Sequence, residues 1–370
     1  MKLSDIFNPF NKKFDDKKAL IAAFIAFPLI LCAVIVIKPD RGISDNENRV
    51  LTTSGDIRPD IFNGGFQEDL ENYLSDQFPM RDRLKSVEVN IRLRLRSGCI
   101  DGAYVNSDGR LFQKLPDSAV DREKCVRYAA RVNRTAEKTG IETYVMYVPS
   151  AGVSLAESMP KGAPMYDYDA LFSALKSELK SCKIIDLRKA LSARPECYYA
   201  TDHHWTAEGV SAAYNEWLSA HGISGHDGTE PEVFTATDAF RGTLWSRVPS
   251  ERISFERLQA FKIPDGLTVE ADGKRIDMYD YPALQTRNQY NFFQGGNHGI
   301  LTVANPNAKS GKTLLILKDS FANSFLPCIV GDYAKIIMVD ERYAFIDAGQ
   351  LAVDSGADEI AVIREIISAG

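Results

Sequence analysis

The sequence predicts an α/β domain in which helices cover both faces of a mostly parallel sheet, preceded by one N-terminal transmembrane helix. Two observations lead to this prediction. Short apolar runs alternate with helical patterns over most of the chain, which is typical of parallel strands that are buried on both faces. A longer apolar run without any charge lies near the N-terminus. The strand-like runs are residues 143–148, 183–187, 314–317, 335–339 and 359–363.

The apolar run near the N-terminus comprises residues 19–37, which carry no charged or polar side chain. As a helix, these residues would extend about 28 Å, close to the roughly 30 Å hydrocarbon core of a bilayer. Because lysines precede the run, we expect residues 1–18 to form a cytoplasmic tail and the rest of the chain to lie outside the membrane. A cleaved signal peptide and a buried helix are the alternatives. The absence of small residues at 34–39 disfavours cleavage.

Residues 38–97 are predicted to be a helical linker region that joins the anchor to the domain. An apolar helical face recurs within residues 66–74, and a second helix follows from about Arg83. The α/β domain is assigned to residues 98–370. Within it, residues 222–300 have weak periodicity and many glycine, aspartate and aromatic residues, so we expect a loop-rich insertion with short strands.

Capping signals place two helices of the domain. Asp117 or Ser118 is predicted to cap a long helix that ends at Gly140. Thr206 is predicted to cap a helix whose apolar stripe faces the core. The residues just before Thr206 therefore lie on a loop at a helix N-terminus, where a side chain can face a cleft.

Overall charge and cysteine spacing argue against several classes of function. A formal net charge of −6 at pH 7 does not favour nucleic-acid binding. The six cysteines include no Cys-x-x-Cys pair, and no glycine-rich nucleotide loop occurs. We therefore predict no nucleic-acid partner, no metal and no cofactor. A disulfide between Cys182 and Cys197 stays open.

The most distinctive motif is Thr-Asp-His-His-Trp at residues 201–205. Asp202 lies two residues before His204, so its carboxylate can accept a hydrogen bond from one ring nitrogen and leave the other free to act as a base. Taken alone, His204 is also consistent with a buried structural histidine. His203 and His204 together also suggest metal ligands, but no third ligand accompanies them.

Ser320 is the candidate nucleophile because it follows a buried strand and precedes a helix. Backbone N–H groups and the helix dipole at such a position can hold a developing oxyanion. The alternative is that Ser320 merely caps the helix, a role that Asp319 could equally take. Asn297, which follows two glycines, is a candidate oxyanion donor or a simple turn residue.

These motifs resemble those of a known family. The Asp-His-His-Trp string resembles the signature of the DHHW proteins of Gram-positive bacteria. The wider pattern resembles the alginate O-acetyltransferase group of SGNH-hydrolase-like proteins, over roughly residues 44–370. The resemblance also uses Lys318-Asp319-Ser320 and the segments at 47–49, 76–81 and 340–343.

The resemblance implies an SGNH-hydrolase-like fold with Ser320 as nucleophile, His204 as base and Asp202 as its orienting carboxylate. Two departures stand out. Lys318 occupies the place of the glycine in the Gly-Asp-Ser motif of SGNH hydrolases, and the spacing from acid to histidine is one residue shorter than usual. The oxyanion and substrate-binding candidates are assigned from local sequence, and they are Asn297, Gly242, His203 and Trp205.

The resemblance further implies a membrane-anchored O-acetyltransferase that modifies a cell-surface polysaccharide. By analogy with the family, a membrane-bound O-acyltransferase partner would deliver the acyl group, and Ser320 would carry it as a covalent ester. An extracellular carbohydrate esterase with the same residues is one alternative. A polysaccharide-binding or assembly protein without catalysis is the other.

Overall fold

A computed structural model describes residues 16–44, 49–60, 64–223 and 231–368. It divides the chain into two compact units, Met1–Glu88 and Val89–Gly370. Most of the predicted cytoplasmic tail, and Glu47 and Asn48 of the family resemblance, lie outside the described residues.

The first unit contains the apolar helix that the sequence predicts. Helix α1 spans Asp16–Ile37 and includes Pro28. Its segment Lys17–Ile37 is long and apolar enough to cross a membrane. Length and composition alone support the anchor, so the orientation of the chain across a membrane stays a prediction.

The remainder of the first unit is built around a buried carboxylate. Strands β1 (Ile43–Ser44) and β2 (Arg49–Val50) pair antiparallel, and helix α2 (Gly65–Asp76) follows. Asp76 accepts hydrogen bonds from the Arg49 guanidinium and from the Thr52 amide. Burial alone would raise the pKa of Asp76, but these hydrogen bonds lower it. The carboxylate therefore ties helix α2 to the strand that precedes it.

Helix α3 (Arg81–Arg94) leads into the second unit, which has the predicted alternation of strands and helices. Its helices are α4 (Arg122–Thr139), α5 (Ala151–Ser154), α6 (Tyr168–Glu178), α7 (Arg188–Leu191), α8 (Ala207–Ala220), α9 (Thr243–Arg247), α10 (Phe321–Ile329) and α11 (Ala348–Asp354). Its strands are β3 (Cys99–Ile100), β4 (Ala103–Val105), β5 (Leu111–Gln113), β6 (Glu142–Val148), β7 (Lys183–Asp186), β8 (Val233–Phe240), β9 (Glu256–Phe261), β10 (Thr268–Ala271), β11 (Lys274–Ile276), β12 (Ile300–Ala304), β13 (Thr313–Lys318), β14 (Lys335–Val339) and β15 (Glu359–Glu365).

The central sheet has eight strands in the order β11-β10-β12-β14-β13-β15-β6-β7. The five strands from β14 to β7 are parallel, which confirms the predicted α/β fold. Strands β10, β11 and β12 extend the sheet in antiparallel register. Strand β13, which ends just before Ser320, therefore lies inside the sheet and is paired on both sides.

Two apolar layers hold helices against the faces of this sheet. Helices α4, α6 and α11 pack on one face, and α8 and α10 pack on the other. Side chains of β13 alternate between the layers, with Leu314 and Ile316 in one and Leu315 and Leu317 in the other. Burial on both faces explains why this strand is a continuous apolar run in the sequence.

The structure corrects one helix cap, answers the open question of a disulfide and adds detail to the segment 222–300. The cap of α4 is Asp121, whose side chain accepts from the Lys124 amide, whereas Asp117 lies in a separate 3-10 turn. Cys182 and Cys197 are both free thiols rather than a disulfide. The segment 222–300 contains more regular structure than its weak periodicity suggests, because β8 and β9 pair and β10 and β11 join the central sheet.

Candidate active site

Ser320 lies at the junction between β13 and α10, where it is the N-cap residue of the helix. Its side chain makes no capping hydrogen bond. The Asp319 carboxylate instead accepts from the Phe321 amide at 2.9 Å and from the Glu365 amide at 2.9 Å. Because Asp319 takes the capping role, the Ser320 hydroxyl is available for another partner.

That partner is His204. The distance from His204 Nε2 to Ser320 Oγ is 2.7 Å, and the distance from His204 Nδ1 to Asp202 Oδ1 is 2.5 Å. An ionised carboxylate can only accept hydrogen bonds, so His204 Nδ1 carries the ring proton and donates it to Asp202. Nε2 is then unprotonated and can accept a hydrogen bond from the Ser320 hydroxyl. The three side chains thus form one hydrogen-bonded line from carboxylate to imidazole to hydroxyl, as a general base acting on a serine nucleophile requires.

The start of the loop that carries Asp202 is held by a partly buried glutamate. Glu256 on β9 accepts from the amides of Ala200 and Thr201 at 2.6 and 2.7 Å, and from the Thr201 hydroxyl at 2.5 Å. Downstream, the Thr206 side chain accepts from the Gly209 amide at the start of α8. The Asp202–His204 loop is therefore fixed at both of its ends.

Asp202 is completely buried, yet it stays ionised. Burial raises the pKa of its carboxyl, but His204, His203 and the hydrogen bonds from His204 and Thr243 together lower it well below its usual range. Hydrogen bonds from the Thr243 amide at 2.6 Å and the Thr243 hydroxyl at 2.9 Å stabilise the second carboxylate oxygen. An ionised Asp202 is the form that can orient His204 and stabilise its imidazolium.

His203 and Trp205 flank His204 with different surroundings. His203 is partly exposed and contacts the Thr243 hydroxyl through Nδ1 at 3.0 Å. Burial and the neighbouring His204 lower the pKa of His203 to about 3, so its ring is neutral at physiological pH. Trp205 is fully buried, and its indole N–H contacts the Phe321 carbonyl and the Ser324 hydroxyl. Trp205 therefore joins the histidine loop to α10.

At Gly242 the backbone passes very close to the Asp202 carboxylate. Its amide donates to the Thr201 hydroxyl at 3.0 Å. A Cβ at this position would lie 2.2 Å from the Asp202 Cβ. Only glycine fits this contact, and its N–H group already has a partner within the protein.

Asn297 is exposed and lies beside the lysine that replaces the expected glycine. Its Oδ1 accepts from Lys318 Nζ at 2.9 Å and from Asn323 Nδ2 at 3.1 Å. Lys318 is buried and forms an ion pair with Asp340 at 3.3 Å. Burial lowers the pKa of Lys318 to about 8 against the opposing effect of Asp340. Asn297 thus belongs to a polar network that it forms with Lys318, Asn323 and Asp340.

Comparisons with known proteins agree with this geometry. Residues 107–258 match the family described as the SGNH hydrolase-like domain of the acetyltransferase AlgX. The domain is SGNH hydrolase-like. The matched segment of this domain includes Asp202 and His204 and ends before Ser320. The predicted resemblance to this group is confirmed over the matched residues.

Solved structures with the same fold support the assignment of an SGNH-like domain. A DHHW family protein from Eubacterium siraeum has a TM-score of 0.62 at 24% identity, over 73% of this chain and 93% of that one. Bacillus cereus PatB1, determined with a sulfonyl adduct, has a TM-score of 0.60 at 17% identity, over 72% of this chain and 98% of that one. At these identities the likeness establishes the fold. No curated protein sequence matches the chain.

Asp202, His203 and His204 are also a group of side chains whose ligand atoms could hold a metal ion, since these atoms lie within 4.8 Å of one another. In the SGNH-like domain the same atoms already hydrogen bond to one another, to Thr243 and to Ser320. The arrangement therefore matches proton transfer to and from a hydroxyl.

Two contributors to the site were not predicted from the sequence. Tyr290 stacks on the His204 ring with 3.8 Å between centroids and 6° between planes, and its hydroxyl donates to Ser324 at 2.9 Å. Thr243 bonds both Asp202 and His203. Both residues belong to the weakly periodic segment 222–300, where no local pattern in the sequence indicates a contact with His204.

Proposed function

We propose that this protein is an O-acetyltransferase that carries the acetyl group on Ser320. The observation that carries the proposal is the hydrogen-bonded line from Asp202 through His204 to the Ser320 hydroxyl. The acetyltransferase-like family of the domain supports the nature of the transferred group.

In the first step, His204 Nε2 accepts the Ser320 proton while Oγ attacks the acyl carbonyl carbon. The bond to the leaving group breaks, and that group departs with the proton from His204. In the second step, His204 takes a proton from an acceptor hydroxyl, whose oxygen attacks the acetyl-serine carbonyl. The bond to Oγ breaks, Ser320 recovers its proton, and the acceptor leaves as an acetyl ester.

Each step passes through a negatively charged tetrahedral intermediate, which needs hydrogen-bond donors. Within the described residues, the Ser320 backbone amide has no acceptor. The Asn297 side-chain amide nitrogen likewise has no acceptor within the described part of the chain. We assign these two N–H groups as oxyanion donors, each of which contributes about 3–4 kcal/mol where such donors have been tested in other enzymes.

The acceptor in this proposal is a hydroxyl group of a cell-surface polysaccharide, and the donor is a membrane-bound O-acyltransferase. The family match to the acetyltransferase AlgX supports a polysaccharide acceptor. The apolar helix Lys17–Ile37 supports an anchor that keeps Ser320 near a membrane, where a membrane-bound donor would release the acyl group.

The test uses the full-length chain in detergent with p-nitrophenyl acetate as an activated donor. We expect an adduct of one acetyl group on Ser320 by intact mass and peptide mapping, and none in Ser320→Ala or His204→Ala. A serine-directed sulfonyl fluoride should label the wild type and spare the same two variants. Circular dichroism checks that both variants are folded.

Release of the acetyl group then separates the alternatives. Faster release with an added polysaccharide than with buffer, together with acetylated product, supports transfer. Equal release with and without polysaccharide indicates an esterase. A folded wild-type protein that forms no adduct and still binds polysaccharide would overturn the catalytic proposal in favour of a binding or assembly role.

A further inference from the structure

Lys318 is an unusual residue to find two positions before a candidate nucleophile, because its ammonium group is almost entirely buried. The residue is 2% exposed and ends strand β13. Burying a charge is costly unless it is paired and hydrogen-bonded. The partners of this ammonium group therefore indicate what it does.

The ammonium group has three N–H donors and three partners. It donates to Asn297 Oδ1 at 2.9 Å and to Asn323 Oδ1 at 2.8 Å, and its third partner is Asp340 at 3.3 Å. Asp340 is completely buried and also accepts from Arg342. All three donors of Lys318 are thus used, and two of them contact side-chain amides.

These contacts determine which way the Asn297 amide faces. An ammonium group cannot accept a hydrogen bond, so the oxygen of each amide must face it. An inverted Asn297 would place its NH2 group against the Lys318 ammonium. The Asn323 NH2 group also donates to Asn297 Oδ1, at 3.1 Å, which favours the same orientation. Asn297 Nδ2 on this exposed residue therefore has no acceptor among the residues that the structure describes.

The position of Asn323 connects this network to Ser320. Asn323 is the third residue of α10, and its backbone N–H donates to the Ser320 carbonyl at 3.2 Å. Lys318, the last residue of β13, lies two residues before Ser320. Asn297 bridges Lys318 and Asn323. The network thus packs against the strand and the helix that present the hydroxyl.

We propose that Lys318 is a positioning residue for acyl transfer. Its ammonium group holds the Asn297 amide so that Nδ2 donates to the acyl oxygen of the group that Ser320 attacks. The positive charge also polarises the amide and strengthens this donor. The inference rests on the proposed function, since an oxyanion forms only when Ser320 attacks an acyl group.

The experiment measures kcat and KM for acylation of the full-length chain by p-nitrophenyl acetate. Asn297→Asp keeps an oxygen for Lys318 and removes the donor, so we expect kcat to fall about 100-fold while KM changes little. Lys318→Met should lower kcat at least about tenfold, again with little change in KM. Lys309→Met is the matched control, because Lys309 forms an exposed ion pair with Asp332 at 3.0 Å; this variant should match the wild type.

A double-variant cycle tests whether Lys318 acts through Asn297. Lys318→Met combined with Asn297→Ala should be no slower than Asn297→Ala alone, because the lysine has no donor left to position. Wild-type kcat in Asn297→Asp would overturn the proposal, as would additive losses in the cycle.

The controls separate this inference from the proposed function. If the wild type forms acetyl-Ser320 while Lys318→Met and Asn297→Asp acylate equally fast, the roles of Lys318 and of the Asn297 donor are refuted, and the acyl-serine proposal stands. If the wild type is folded and forms no adduct, the proposed function fails and this inference falls with it. If Lys318→Met does not fold, Asn297→Asp at its exposed position still decides whether the oriented amide takes part.

Discussion

Among the described residues, His204–Asp202 and His221–Glu359 are histidine–carboxylate pairs at opposite ends of the parallel strands, and of these two only His204 faces a serine hydroxyl. His204 and Asp202 lie before the first residue of α8, beside the carboxyl end of β13. His221 lies at the other end of α8 and contacts Glu359, the first residue of β15, at 3.2 Å.

The partners of the ring nitrogens distinguish the two pairs. His221 Nδ1 faces the Trp217 carbonyl at 2.8 Å and Nε2 faces the Glu359 carboxylate, so both nitrogens have acceptors as partners. His204 Nε2 faces a serine hydroxyl, which can donate. A histidine beside a carboxylate is therefore not in itself a candidate active site. The active geometry also needs a nitrogen that can accept a proton, at the edge of the sheet where parallel strands end.

The largest expected effect on kcat comes from neutralising Asp202. The same change at Glu359 is the comparison. Asp202→Asn should lower kcat for acyl transfer about 10⁴-fold, because the amide no longer holds His204 in the tautomer that accepts from Ser320. Glu359→Gln should leave kcat within about twofold and lower the melting temperature, since it weakens buried hydrogen bonds far from the hydroxyl. A large loss of kcat in Glu359→Gln would contradict the distinction between the two pairs.

A smaller effect is expected from adding a methyl group beside the His204–Asp202 pair. The Cβ of Gly242→Ala would overlap Asp202, so we expect a loss of about 1–3 kcal/mol in the free energy of unfolding and at least a tenfold loss in kcat. Gly311→Ala is the control, because nothing lies within 4 Å of a Cβ there. Denaturation and acylation assays on both variants check this, and identical behaviour would show that Asp202 tolerates displacement.

The His221–Glu359 pair should make the free energy of unfolding depend on pH. Burial raises the pKa of Glu359, but hydrogen bonds from His221, Lys312 and Tyr333 outweigh burial and lower it to about 2. The contribution of this carboxylate is therefore present above the unfolded pKa of 4.5 and is lost as the pH falls towards 2. It is on the order of 3 kcal/mol at neutral pH. The difference in stability between wild type and Glu359→Gln should shrink between pH 5 and about 2.5, and a constant difference would contradict this.

The smallest effect concerns the ring that packs on His204. Tyr290→Phe removes the hydroxyl that donates to Ser324 and keeps the stacked ring, so the free energy of unfolding should fall by about 1 kcal/mol. Acylation should stay within about threefold of the wild type. A much larger loss of activity would show that the hydroxyl, rather than the ring, supports His204.

The parts of the active region differ in how far local sequence predicts them. The strand before Ser320 and the helix capped by Thr206 follow from apolar periodicity and capping signals, and both are present in the structure. The proximity of Asp202 to His204 follows from their spacing of two residues. The roles of Tyr290 and Thr243 do not follow, because they depend on how a weakly periodic segment packs over the histidine loop.

Local sequence patterns were enough to predict the α/β alternation, the apolar N-terminal helix and the candidate residues Asp202, His204 and Ser320. Periodicity and capping act over a few residues, so they can be recognised without knowing the fold. Three contacts became known only from the folded chain: His204 meets a hydroxyl 116 residues away, the Asp319 carboxylate makes the capping hydrogen bond of α10, and Lys318 is buried against Asn297. Such contacts depend on strand order and side-chain packing, which join distant segments and leave no local pattern in the chain.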